Sequence, residues 1–113
     1  MADEAERQVP EGAAVFPLIP TELGVDPLLL AVLHAAVFLS GSDDEVVHPG
    51  AAAEALEYIA TYLQRLNGSQ IARIREDLEV LTSFAKREGW PKQEVQFLRS
   101  FLADFGVGEE GKA

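Results

Sequence analysis

Residues 40–48 read Ser-Gly-Ser-Asp-Asp-Glu-Val-Val-His, three consecutive carboxylates followed by an imidazole. Carboxylate oxygens and an imidazole nitrogen are ligands a divalent cation accepts. Asp43, Asp44, Glu45 and His48 are therefore the candidate metal ligands of this chain. Their order is not that of an EF-hand, which needs acids at alternating positions, a central glycine and a distant glutamate. A solvated acidic loop ahead of a helix accounts for the same residues, because the dipole at a helix N-terminus favours carboxylates.

His34 is the second candidate. It is the single polar side chain in residues 27–39, Pro-Leu-Leu-Leu-Ala-Val-Leu-His-Ala-Ala-Val-Phe-Leu. Acid–base chemistry there needs a second titratable group, and the helical neighbours are Leu30, Ala31, Val37 and Phe38. A partner must come from another helix or another subunit. An enclosed neutral imidazole would make folding acid-sensitive, with stability falling between about pH 6.5 and about pH 5. Nucleophilic chemistry finds no frame. Ser40, Ser42, Ser69, Ser83 and Ser100 lie in no G-x-S-x-G elbow, and no phosphate-cradling glycine loop is present. No catalytic residue and no cofactor are expected, and the chain leans away from an enzyme.

The elements that would position these residues follow from local punctuation. Asp26-Pro27, His48-Pro49, Ser69 and Trp90-Pro91 read as helix starts, since proline suits the first helical position and Asp or Ser can cap it. Gly41, Gly68, Gly89 and Gly106 read as stops. Starts and stops alternate to give helices over 27–40, 49–67, 69–88 and 91–105. No stretch alternates apolar and polar residues long enough for a strand. The second helix carries the stripe Leu56, Ile59, Ala60, Leu63 and Leu66, flanked by Tyr58 and Tyr62. The third carries Ile71, Ile74, Leu78, Leu81 and Ala85, with Arg73–Asp77 and Arg75–Glu79 as i,i+4 pairs on its wet side. The fourth has one row in Val95, Leu98, Leu102 and Phe105 and a second in Phe97 and Phe101. The first helix has no polar face, so it must lie innermost or between molecules. The fold class is all-α: a four-helix bundle or a pair of helical hairpins, first helix central.

Residues 1–20 are expected to be a flexible tail whose apolar second part lies along the domain, residues 21–106 the domain, and residues 107–113 a C-terminal tail. The acidic residues 1–7 do not read as a secretory signal. The apolar run is shorter than the roughly 20 residues a membrane span needs. With no cysteine among its 113 residues, the chain is at ease in a reducing cytoplasm. Net charge is −10. Between residues 8 and 64 there is no Lys or Arg, and from Arg65 to Arg99 there are seven basic residues against five acids. That balance excludes duplex nucleic acid, which requires a cationic face, and allows a basic protein partner for the acidic half.

Three amphipathic helices hardly cover a fourth that is apolar all round. Either the Phe97/Phe101 row and the apolar Val15–Ile19 segment close the gap and leave a monomer, or the uncovered remainder is an interface; the second is the expectation, with the interface assigned to Leu29, Leu33, Phe97, Phe101 and Tyr62 of a homodimer. Residues 32–66 resemble the helix–acidic loop–helix of tellurite-resistance TerB-like domains, with Asp43, Asp44 and Glu54 in comparable places. The glycine that family places after the loop acid is absent here.

Overall fold

Asp26 opens the first helix, α1 (Pro27–Gly41), by accepting the Leu28 N–H at 2.8 Å, with Pro27 behind it. This computed structural model describes residues 9–108. His48 opens α2 (Pro49–Leu63), and its Nδ1 accepts the Gly50 and Ala51 N–H groups, each at 3.1 Å. A capping box opens α3 (Gly68–Arg87): Asn67 Oδ1 accepts the Gln70 N–H and Gln70 Oε1 accepts the Asn67 N–H, both at 2.9 Å. The expected cap, Ser69, is instead inside the first turn. An amide two residues earlier reaches the orphan N–H groups better. Gly68 likewise begins a helix rather than ending one, and Gly41 is still helical. Pro91 precedes α4 (Lys92–Asp104).

Gly89 and Gly106 do end α3 and α4, at φ 74° and 72°. Behind each, the next N–H reaches back into the helix, Trp90 to the Ala85 carbonyl at 3.0 Å and Val107 to the Leu102 carbonyl at 2.8 Å. This left-handed cap satisfies the orphan carbonyls and folds an apolar side chain onto the helix end. Val107 is accordingly 2% exposed.

The four helices form two hairpins, α1 with α2 and α3 with α4, and no strand occurs among the described residues. Overall extents are 49 × 35 × 23 Å. The core joins Leu29, Leu33 and Ala36 of α1 to Leu78, Leu81 and Ala85 of α3 and Leu98, Phe101 and Leu102 of α4. Leu33, Leu81, Leu98 and Phe101 are fully enclosed. Ala52 is the one buried residue of α2, whose stripe residues Leu56 and Leu63 are half-buried.

α1 thus supplies the core from one side, and the rest of the described chain does not cover it all round. Leu28 is 76% exposed and Phe38 40%. Along α1, Leu28, Ala31 and Phe38 share one face, spaced at i, i+3 and i+10, and all three are exposed.

The described part of the N-terminal segment belongs to the domain. Phe16 is 2% exposed and meets His34, Trp90 and Phe97 edge-on at centroid distances of 5.1, 5.6 and 6.3 Å. Its backbone is tied to the end of α1: the Ala14 N–H donates to Ser42 Oγ at 2.9 Å and the Asp43 N–H to the Gly12 carbonyl at 2.7 Å. The domain therefore extends past both expected boundaries, to Phe16 and Val107. Residues 1–8 and 109–113, the rest of the two expected tails, lie outside the described residues.

Candidate functional site

The acidic loop does not assemble a cation site. The His48 ring nitrogen that faces the protein is used as the α2 cap. Asp43, Asp44 and Glu45 are exposed, and the loop backbone is turned by the Val46 and Val47 N–H groups donating to the Asp43 carbonyl. No group of three His, Asp or Glu residues that could hold a metal occurs among the described residues. A helix start needs an acceptor at this position more than a metal does, and the imidazole supplies it.

His34 lies at the seam between α1 and the N-terminal segment, half-buried, with its ring edge-on to Phe16. It has no hydrogen-bond partner among the described residues, and no buried side-chain nitrogen or oxygen there is left unpaired, so its nitrogens reach solvent. The enclosed imidazole that the acid-sensitivity expectation required is absent.

Asp77 is the buried charge that the sequence reading placed on the wet side of its helix. It is 5% exposed. Its Oδ2 accepts the Asp26 N–H at 3.1 Å, and its Oδ1 accepts from Arg73 Nε at 3.2 Å. Arg73 Nη2 also donates to the Gly24 carbonyl at 3.4 Å. The carboxylate thus ties α3 to the backbone that starts α1. The signal was present: Asp77 falls three residues after Ile74 and four before Leu81, at the edge of the apolar stripe. The companion pair, Arg75–Glu79, forms no ion pair; Arg73–Asp77 is the one found among the described residues.

A concave apolar surface lies where α1, α2 and α3 meet. Leu28, Leu29, Val32, Leu63, Leu66 and Ile74 line a groove of about 360 Å³, with Asp26, Ser69, Gln70 and Arg73 around it. Of the expected interface residues, Leu29 (6% exposed), Leu33 (0%) and Phe101 (0%) are inside the chain's own core and have no surface to offer. Phe97 is half-buried against Phe16 and Phe101. Tyr62 is exposed, with the Arg65 guanidinium 4.9 Å from its ring centroid. Leu28, one position before Leu29, is the exposed leucine of α1, at 76%. A helix apolar on every side gives no phase from which its inward side can be read, so neighbouring leucines are interchangeable in sequence and opposite in space.

No helix among the described residues is long and apolar enough to cross a membrane. No protein-family model, no curated protein and no solved structure matches this chain, and the likeness of residues 32–66 to TerB-like domains gains no support.

Proposed function

We propose that this chain is a small non-enzymatic helical module for protein association, and that it self-associates through the outward side of the α1–α2 hairpin. One observation carries this: α1, which has no charged side chain, buries Leu29, Leu33 and Ala36 yet leaves Leu28 76% and Phe38 40% exposed. Tyr58 and Tyr62 of α2 are 57% and 64% exposed on the same hairpin. Apolar side chains gathered on one exposed hairpin support contact with another molecule. Tyrosine and arginine beside it suit an interface edge. The reading sets the chain in a cytoplasm, with which its lack of cysteine is compatible.

Salt separates a second copy from a basic partner. Two copies each carrying −10 repel one another. Screening that repulsion should strengthen an apolar contact, whereas attraction between the acidic hairpin and a basic protein should weaken. Size-exclusion chromatography with light scattering, over a concentration series at low and high sodium chloride, is expected to show mass rising from 12.3 kDa towards twice that value, more completely at high salt. A mass that stays at one chain throughout would end the proposal.

A further inference from the structure

The groove and an exposed leucine at its rim belong to one patch. Leu28, in the first turn of α1, is 76% exposed and stands on the rim of a groove it lines together with Leu29, Val32, Leu63, Leu66 and Ile74. A convex apolar knob next to a concave apolar socket is self-complementary about a two-fold axis. One rotation seats each knob in the other copy's socket, and the contact closes at two chains instead of growing into a filament. A second copy seated this way buries the groove and Leu28 together.

The surrounding charges fit the same operation. Asp26 and Arg73 both border the groove, and the Arg73 side chain is 54% exposed. A two-fold axis can set each opposite the other's counterpart, so the acidic chain meets its twin at a place where both signs are present.

We infer that two copies pair about a two-fold axis with Leu28 of each occupying the groove between α1, α2 and α3 of the other. This rests on the self-association proposed above and adds the site and the geometry to it.

The test uses the full chain. Leu28→Glu should keep its helical circular dichroism and melting temperature, because the side chain is exposed, yet weaken dimerisation by roughly 30-fold or more, as loss of a central anchor does. Val80→Glu, at another exposed apolar residue that does not line the groove, should leave dimerisation unchanged. Because the chain has no cysteine, Leu28→Cys mixed with Leu66→Cys gives a clean second readout. Oxidation should yield a heterodimer joined between the two variants, since a disulfide forms only where the two side chains already approach. If the parent dimerises but Leu28→Glu dimerises equally well and the cysteine mixture yields no heterodimer, this geometry is overturned and self-association stands. If the parent remains a single chain at every concentration, both are overturned.

Discussion

Replacing Asp77 by alanine tests how the two hairpins are fastened together. The carboxylate is 5% exposed and holds the Asp26 N–H at 3.1 Å and Arg73 Nε at 3.2 Å. A hydrogen bond to a charged group contributes about 1.5–3 kcal/mol. The ion pair adds little, because Arg73 is 54% exposed on its side chain and a pair open to solvent is worth at most about 1 kcal/mol. Alanine returns up to about 0.7 kcal/mol of helix propensity inside α3. The net expectation for Asp77→Ala is a loss of about 2 kcal/mol. For Arg73→Ala it is about 0.5 kcal/mol. For a domain this size that places the melting temperature of Asp77→Ala about 10 °C below the parent. Asp77→Asn, which keeps an acceptor for the Asp26 N–H, should fall between the two. Urea unfolding, followed by far-ultraviolet circular dichroism and by Trp90 fluorescence, gives the differences. Repeating it near 1 M salt, where the screening length is about 3 Å, should erase the Arg73→Ala effect and leave most of the Asp77→Ala effect. If Asp77→Ala costs no more than Arg73→Ala, and both vanish in salt, the carboxylate is only half of a surface pair and the tie between α3 and the start of α1 is wrong.

Phe16→Ala should destabilise the domain by about 3–5 kcal/mol, the usual loss for an enclosed aromatic ring, in the same urea experiment; a change within half that range would return the N-terminal segment to the status of a tail. Asn67→Ala should cost about 1 kcal/mol as the loss of an N-cap, while Ser69→Ala stays within about 0.5 kcal/mol as an exposed change; the opposite order would restore Ser69 as the cap. His48→Ala should likewise lose about 1 kcal/mol through its cap. Thermal melts of the parent with and without calcium, magnesium or zinc should coincide. A rise of several degrees with any of these ions would show a native-state cation site that the loop geometry does not provide.

Helix boundaries were legible because their causes are local. Asp26-Pro27 and His48-Pro49 start helices, and Gly89 and Gly106 end them, through hydrogen bonds that reach only a few residues along the chain. The inward faces of α3 and α4 were legible as well. Each has polar residues on one side, and that contrast turns Leu78, Leu81, Leu98 and Leu102 toward the core. The contrast fails for Asp77, whose charge put it on the wrong side although its spacing belonged to the apolar stripe.

Where no such contrast exists, the chain itself leaves the orientation open. Composition made α1 apolar on all sides and so required something to cover it, but Leu28 and Leu29 are the same residue type one position apart. Packing against α3 and α4 chose Leu29 for the interior at 6% exposure and left Leu28 in water at 76%. Phe16 found its place beside His34, Trp90 and Phe97, residues distant in sequence, and His48 became a cap rather than a ligand. Short-range hydrogen bonding and periodicity determine which segments are helices. Only the competition among apolar surfaces that meet after the chain has folded decides which side of a uniformly apolar helix stays outside, and the candidate site of this protein lies on that side.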